Sequence, residues 1–498
     1  MNIKISNKEK FSLILNNNRN KLDKENIIRR PRQSELSPVI THIEKRKVSY
    51  RGPTSPLILV YSFLAFAIIG TILLSLPISS EENKFTSINI SLFTSISAIT
   101  GTGLIVVGTD SYWSIFGEIV IGALIFVGGL GFITGIAFLL FLSSGHKLEN
   151  RMITRTGLGE NRIGVISSMA RNIILVAVLI QIIGSLIFFI KWNFFTPLWS
   201  GISSTQTLYQ SIFLSISSFN NAGFEILPDS KIGGSSLIGF ADDKIILATV
   251  SVMILMGALS YATLSNIITK KKWSLFNLDT KLVIIGTLFA LTLGFISFFL
   301  IEFSNTGSIG NENIANKISQ SLFHTVNRTS GFSSVAYNNL ENSNINVSAL
   351  LMFIGGTTSS VAGGIKVNTL MIIVIATYSI FKGKENISFS NRKINSFDVL
   401  KSMAVGATAI VSIMLLVILF QVFEPHADYK ESVFELVSAF ATCGWSIGET
   451  SQYGAVGQLI LSIAMFTGRF GPITLVLFMS KESQEDIISY PEERVRVG

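Results

Sequence analysis

Four stretches of the chain share a pattern that could present backbone carbonyl oxygens to an ion. Each opens with Ser, an aliphatic residue and Phe, and each closes with glycine followed by a large apolar residue. A short helix that turns sharply at glycine can aim successive carbonyl oxygens at an axis, because glycine adopts positive φ at little cost. The stretches are Ser91–Leu104, Ser211–Phe224, Ser321–Phe332 and Ser432–Trp445.

The spacing of the stretches indicates four copies of one membrane module. Their closing glycines lie roughly 110–120 residues apart, which is too far for a solenoid repeat and suits two spans with their connections. A glycine that ends an ordinary helix explains any single copy equally well. The same opening tripeptide in all four copies favours a pore, in which carbonyl oxygens replace the water around potassium.

Non-helical backbone at membrane depth must be shielded from lipid, so the four loops are expected to face one another. The residues just before each closing glycine are mostly small and leave their carbonyl groups free. We predict potassium as the transported ion and no cofactor in this chain. The predicted filter residues are Gly101, Thr102, Gly103, Asn221, Ala222, Gly223, Thr329, Ser330, Gly331, Thr442, Cys443 and Gly444.

Composition places most of the chain in lipid. Apolar residues make up 48% and charged residues 14%, against about 25% charged in ordinary globular domains. The formal charge of +8 resides in the Asn-rich tail 1–54, so nucleic acid is not a predicted partner. The tail has no apolar core typical of a secretory signal; it is either a solvated cytosolic tail or a segment attracted to anionic lipid.

Features of an active site are not apparent in the sequence. The one cysteine, Cys443, excludes an intrachain disulfide, and the four histidines are scattered. Neither a full dinucleotide-binding glycine pattern nor a phosphate-binding loop occurs, and helix packing explains the glycines at 128–131 better. We therefore predict that the chain is not an enzyme.

The expected fold is an all-α integral membrane protein with four span–pore loop–span repeats. It comprises eight transmembrane helices and four re-entrant pore helices around one pseudo-four-fold pore. The basic linkers between modules place both termini in the cytosol of a multi-pass plasma membrane protein. The expected spans are 55–77, 113–142, 165–190, 245–268, 282–301, 347–380, 399–423 and 455–480. The expected domains are a basic cytosolic tail 1–54, pore module 1 at 55–142, linker and module 2 at 143–268, linker and module 3 at 269–380, linker and module 4 at 381–480, and a cytosolic C-terminal tail 481–498.

The expected span 347–380 contains a glycine-rich run at 355–364. Each glycine costs about 1 kcal/mol relative to alanine inside a helix, so four glycines favour an unwound loop beneath the filter. A continuous helix with a small-residue packing face is the alternative. The predicted gating residues of this run are Gly355, Gly356, Thr357, Thr358, Ser359, Gly363 and Gly364.

Cations at membrane depth cost about 2.5–3.5 kcal/mol and usually face a cavity or a partner. Lys366 and Arg469 are such cations, and both join the predicted gating set. We hypothesise that Arg469 donates hydrogen bonds to carbonyl groups of the 355–364 run and holds it across the pore. Arg328 is expected to be a structural clamp rather than to face the ion, paired with a carboxylate such as Glu435.

These motifs resemble the Trk/Ktr/HKT superfamily of potassium transporters, and most closely the membrane subunits of bacterial Ktr systems. The resemblance covers about residues 53–498 and includes Asn-Arg-Thr-Ser-Gly-Phe at 327–332 and the break that ends in Gly364-Ile365-Lys366. It implies potassium uptake through one pore per subunit, a homodimer, an intramembrane gating loop at 355–364 and a cytosolic nucleotide-binding partner ring. Departures are the shorter third loop, Cys443, Trp445 and the long tail.

A sodium-coupled cation symporter that alternates access is the other candidate, because such carriers bind substrate at interrupted helices between repeats. Carriers of that type usually show inverted or paired halves, whereas this chain repeats four times. Saturable coupled uptake without an ohmic current would favour the carrier.

Overall fold

The computed structural model describes residues 57–129, 166–228, 235–358, 360–384, 386–448 and 450–471. The described residues do not include the two expected tails, Ser359, the linker between the first two modules, or the far ends of the expected spans 113–142 and 455–480. The domain boundaries thus stay predictions.

Helices dominate the first two modules. In module 1 they are α1 Leu57–Ser75, α2 Ile88–Thr100, α3 Thr109–Tyr112 and α4 Ile115–Gly129. In module 2 they are α5 Ile166–Ile190, α6 Ser204–Phe219, α7 Lys244–Ala258 and α8 Tyr261–Lys270, with a π-helical turn at Lys191–Phe195.

Modules 3 and 4 repeat this order, with one short hairpin between them. The helices of module 3 are α9 Leu278–Glu302, α10 Ile314–Asn327, α11 Asn342–Phe353 and α12 Val367–Phe381. The antiparallel hairpin joins β1 Ser388–Phe389 to β2 Arg392–Lys393. The helices of module 4 are α13 Ser396–Phe423, α14 Tyr429–Ala441 and α15 Ala455–Phe470. Single 3-10 turns cover Pro77–Ser79, Ile238–Phe240, Trp273–Leu275, Tyr337–Asn339 and Thr450–Gln452.

Polar side chains set several helix starts. The Ser203 hydroxyl accepts from the backbone N–H of Gln206 while the Gln206 side chain accepts from the Ser203 N–H, which is a capping box. Asn313 caps α10 through the N–H of Asn316, and Asp243 caps α7. These caps supply partners for N–H groups that have none within the helix.

Each of the eight expected spans contains a helix, but their lengths differ. Among the described residues, Arg171–Phe195, Leu278–Glu302 and Ser396–Phe423 are long and apolar enough to cross a membrane, and the pair α7 and α8 is a fourth candidate if counted as one span. Shorter apolar helices occupy the other expected spans. The structure is that of a multi-pass membrane protein, and eight complete crossings stay a prediction.

The expected span at 245–268 is bent, because α7 and α8 meet at an angle of 98°. The bend is held by Thr357, whose N–H donates to the carbonyl oxygen of Ala258 at 3.1 Å. The Thr357 hydroxyl accepts from the N–H of Ser260 at 2.7 Å. The bend exists because another part of the chain replaces the hydrogen bonds that a straight helix would make.

The interruption predicted at 355–364 is confirmed, and the continuous helix considered as its alternative is wrong. The chain leaves α11 after Phe353 and enters α12 at Val367. Between them, Gly355 N–H donates to the carbonyl oxygen of Ile365 at 2.8 Å and Ile365 N–H donates to that of Phe353 at 3.1 Å. We call residues 354–366 the broken segment.

The four modules close into a ring through their helix contacts. The helices α2, α6, α10 and α14, which carry the four repeated stretches, each pack against helices of their own module. Each also packs against the module before it, α6 on α4, α10 on α7 and α14 on α11. The contact of α2 with α15 joins the fourth module back to the first.

Three glycines bring helix backbones into direct contact inside the ring. A Cβ built on Gly128, Gly257 or Gly468 would lie under 3.0 Å from the carbonyl oxygen of Ile99, Phe219 or Phe440 respectively. Each of these carbonyl groups lies four residues before the closing glycine of its own stretch. The glycines at 128 and 129 thus serve helix packing, as the sequence predicted.

We predict that Gly128→Ala destabilises the protein, because the added Cβ collides with the carbonyl oxygen of Ile99, a backbone atom that cannot rotate away. Overpacking of this kind costs about 1–3 kcal/mol or more. Thermal unfolding of the purified protein in detergent measures the loss. Gly122→Ala in the same helix is the control, since its Cβ meets only Phe213 at 3.5 Å; equal melting temperatures for the two variants would contradict the prediction.

Candidate functional site

Three of the four repeated stretches end their helices in the same turn. The residue two before the closing glycine is left-handed in each, Gly101 at φ 65°, Asn221 at φ 51° and Thr442 at φ 48°. The next N–H reaches back five residues, from Thr102 to Ser97, from Ala222 to Ser217 and from Cys443 to Ser438, each at 2.9 Å. This Schellman arrangement turns the chain out of the helix.

The third stretch departs from this turn, as its shorter length suggested. None of the described residues 327–330 has a positive φ. The N–H of Ser330 donates to the carbonyl oxygen of Asn327 at 2.9 Å, and its hydroxyl donates to the Asn327 side chain at 2.8 Å. In this loop, hydrogen bonds to Asn327 turn the chain out of the helix, whereas a left-handed residue does so in the other three loops.

The closing glycines Gly103, Gly223, Gly331 and Gly444 form a closed ring, which we call the glycine ring. All four have positive φ, at 87°, 71°, 82° and 95°. A Cβ on each would lie under 3.0 Å from a carbonyl oxygen of the next loop around the ring. The carbonyl groups approached are, in order, those of Ala222, Ser330, Cys443 and Thr102.

The four loops therefore meet in one closed ring, and glycine is the residue that permits it. A side chain at any of the four positions would both strain the backbone and collide with the neighbouring loop. The residues that follow the glycines are Leu104, Phe224, Phe332 and Trp445, each at most 1% exposed. Their burial in the surrounding core anchors the outer end of every loop.

One cavity of about 590 Å³ lies against the glycine ring. All four ring glycines line it, together with the carboxyl-bearing residues Glu225 and Glu431. Acidic groups beside a narrow opening raise the local concentration of cations. Glu225 and Glu431 thus share one cavity with the four ring glycines.

Side chains also tie the loops to one another. The Asn221 amide donates to the Thr329 hydroxyl at 3.0 Å, which joins loops two and three. The Trp445 indole N–H donates to the carbonyl oxygen of Phe332 at 3.3 Å, which joins loops four and three. Both links end on the third loop, where the helix turn is irregular.

The broken segment contacts the fourth loop and the last helix. The N–H of Gly363 donates to the Thr442 hydroxyl at 3.0 Å. Arg469 donates to the carbonyl oxygens of Val361 and Gly128, so the hydrogen bond hypothesised from the sequence is present. Lys366 donates to the carbonyl oxygen of Ala362. The structure thus supplies both membrane-depth cations with backbone acceptors.

The other predicted gating residues have different positions within the segment. Gly355 and Gly356 lie at its start, where Gly356 accepts from the N–H of Val367 at 3.0 Å. Thr358 is exposed, and Gly364 turns the chain with φ 69°. Ser359 is outside the described residues.

The partner expected for Arg328 was wrong. Its guanidinium donates to the carbonyl oxygens of Leu351 at 3.2 Å and Ile354, while Glu435 accepts from the hydroxyl groups of Ser446 and Thr450. The reason is the end of α11, which leaves carbonyl groups without helical partners and favours a cation. Sequence reasoning could not find this partner before the helix end was known.

Comparison with known proteins identifies the family. The family model described as TrkH, cation transport protein, matches residues 37–490. The chain belongs to this family. The predicted resemblance to the Trk/Ktr/HKT superfamily is thus confirmed, and the chain is a transport protein and not an enzyme.

Among described residues, no group of three or more His, Cys, Asp or Glu side chains could hold a metal ion.

Individual relatives of this TrkH-family chain cover almost all of it. It is 34% identical to Ktr system potassium uptake protein B of Bacillus subtilis, over 89% of this chain and 97% of that protein. The protein of the same name from Vibrio alginolyticus is 30% identical, over 89% and 95%. Potassium/sodium uptake protein NtpJ of Enterococcus hirae is 30% identical, over 92% and 100%.

A solved structure shares the fold. The crystal structure of the potassium transporter TrkH from Vibrio parahaemolyticus matches with a TM-score of 0.67 and 16% sequence identity, over 87% of this chain and 86% of that one. The helical arrangement described above is therefore that of a TrkH-type transporter.

We predict that Arg328→Ala destabilises the protein, because the carbonyl group of Ile354 loses this donor and that of Leu351 keeps only the N–H of Ile354 at 3.2 Å. Such a loss costs about 1–3 kcal/mol, seen as a lower melting temperature in detergent. Arg392→Ala, which removes an exposed arginine, is the control and should melt with the wild type. If Arg328→Ala had the same melting temperature as this control, the hydrogen bonds of Arg328 would contribute nothing to stability.

Proposed function

We propose that this chain takes up potassium across the plasma membrane through a pore at the glycine ring. The observation that carries the proposal is the ring itself, in which four loops meet so closely that a Cβ on any of its glycines would collide with a carbonyl oxygen of the next loop. The relatives named as potassium uptake proteins support the choice of ion.

The proposed chemistry is replacement of water by carbonyl oxygens. A potassium ion enters the pore only if oxygen atoms of the protein compensate for its lost hydration shell. The backbone carbonyl groups of the predicted filter residues at 101–103, 221–223, 329–331 and 442–444 supply these oxygens. Glycine in all four closing positions keeps the ring narrow and free of side chains.

The broken segment is the proposed gate. It crosses from α11 to α12 with few helical hydrogen bonds, and its carbonyl group at Val361 is held by Arg469. A segment held by a few side-chain bonds can rearrange at lower cost than a continuous helix. Lys366 and the glycines of the segment complete the proposed gating set.

The assembly is proposed by resemblance to Ktr systems. We infer eight membrane crossings with both termini in the cytosol, a homodimer, and a cytosolic nucleotide-binding ring that controls the gate. The names of the relatives as Ktr system proteins support a place for this chain in such a system. The sodium-coupled symporter considered from the sequence is not favoured, because the modules repeat four times around one ring rather than as two halves.

We predict that Gly444→Ser lowers selectivity for potassium over sodium, since its Cβ meets the carbonyl group of Thr102 across the ring. Gly331→Ser should act in the same way through Cys443. Rubidium and sodium uptake into liposomes that contain the purified chain measures the ratio, and a drop of about tenfold corresponds to 1.4 kcal/mol.

Gly201→Ser is the matched control for the strain of a side chain at positive φ. Gly201 has φ 83° and no atom within 4 Å of its built Cβ. It should therefore share the backbone strain without the ring collision. Wild-type selectivity in all three variants would refute the proposed filter, and liposomes that pass neither ion under any condition would count against the pore.

We predict that Arg469→Ala raises the rate of rubidium uptake, because the broken segment loses the donor that holds Val361. Stopped-flow or isotope uptake into the same liposomes measures the rate. Lys401→Ala removes an exposed cation from another helix and should leave the rate unchanged. A folded Arg469→Ala protein with the rate of this control would remove the support for a gating role.

A further inference from the structure

Thr442 has a backbone conformation that its residue type disfavours. It is left-handed, at φ 48°, and a β-branched side chain is a genuine outlier there. The equivalent positions in loops one and two are Gly101 and Asn221, residue types that adopt this conformation at low cost. A strained residue persists where its side chain has a role that compensates for the strain.

The Thr442 side chain has one contact that can supply such a role. Its hydroxyl accepts from the N–H of Gly363 at 3.0 Å, and both residues are buried. A Cβ on Gly363 would lie under 3.0 Å from this hydroxyl. Threonine at 442 and glycine at 363 are thus fitted to each other.

This hydrogen bond joins two parts with different proposed roles. Thr442 lies two residues before Gly444 of the glycine ring, and Gly363 lies in the broken segment two residues after Val361, which Arg469 holds. The other end of the segment is tied to the third loop, because Arg328 donates to Ile354. The segment is thus hydrogen-bonded to two of the four loops that form the ring.

We propose that Thr442 is a positioning residue that couples the broken segment to the ion-selective ring through the N–H of Gly363. The proposal rests on the proposed potassium pore and adds a determinant of selectivity that is a side chain rather than a carbonyl group. When the bond is made, the segment holds the fourth loop in its ring geometry. When the segment moves, the fourth loop loses this support.

The test compares three substitutions at Thr442 in liposomes that contain the full chain, with rubidium and sodium uptake as the readout. Thr442→Val keeps the shape and removes the hydroxyl, and it should lower the rubidium-to-sodium ratio about tenfold, the effect of one lost buried hydrogen bond. Thr442→Ser keeps the hydroxyl and should recover most of the ratio that the valine variant loses. Thr442→Gly relieves the strain, so it should fold, and should lose selectivity as valine does.

Two further results separate coupling from a local effect on the ring. In the Arg469→Ala background the segment is already released, so Thr442→Val should change the ratio less than it does in the wild type. Gly363→Ala should impair selectivity through its collision with Thr442, and adding Thr442→Gly should give a ratio no better than that of Thr442→Gly alone, because the hydroxyl is absent from both chains. The proposal would be overturned if Thr442→Val changed the rubidium-to-sodium ratio equally in the wild type and in Arg469→Ala. It would also be overturned if Thr442→Val and Thr442→Ser had equal ratios.

The outcome also distinguishes this proposal from the proposed function. A wild-type chain that selects rubidium over sodium supports the pore, whatever the Thr442 variants do. A wild-type chain without such selectivity refutes the pore, and the coupling with it. If the wild type is selective but Thr442→Val and Thr442→Ser have the same rubidium-to-sodium ratio, the coupling is refuted and the pore is not.

Discussion

Backbone that leaves a helix inside a membrane protein needs hydrogen-bond partners from the protein, because lipid supplies none. This constraint explains most of the contacts around the glycine ring. The Schellman turns use the N–H groups of the loops and leave carbonyl groups available. At the broken segment, the partners come from elsewhere in the chain: Arg328, Arg469 and Thr442 each bond to its backbone.

The third module differs from the other three in how its last helix meets the pore helix. In modules 1, 2 and 4, a glycine of the helix that follows the pore helix (α4, α7 or α15) packs on the end of that pore helix. In module 3 the helix stops at Phe353, and Gly355 instead lies against the carbonyl group of Gly363 in the broken segment. The segment that replaces it then reaches α7 and helps to bend it. The broken segment thus accounts for two departures from the repeat, namely the interruption between α11 and α12 and the bend between α7 and α8.

Much of this arrangement could be predicted from the sequence because the repeated features are local. A helix followed by glycine with positive φ depends on a few neighbouring residues, so all four stretches and the interruption at 355–364 were recognisable. The bend at Ser260 was not, since it depends on Thr357, almost a hundred residues later. The partner of Arg328 was mistaken for the same reason: Glu435 offered the opposite charge, whereas the end of α11 offered carbonyl groups.

Contacts between distant segments also decide which side chains matter at the ring. Thr442 looked like a small residue chosen to leave its carbonyl group free, and composition alone gave no reason to prefer it to glycine. Its left-handed φ and its bond to Gly363 supply that reason. Because a glycine or asparagine would meet the local demand at lower cost, the threonine is explained by the segment beneath the ring. Selectivity and gating would then share a structural element, and neither could be altered there without affecting the other.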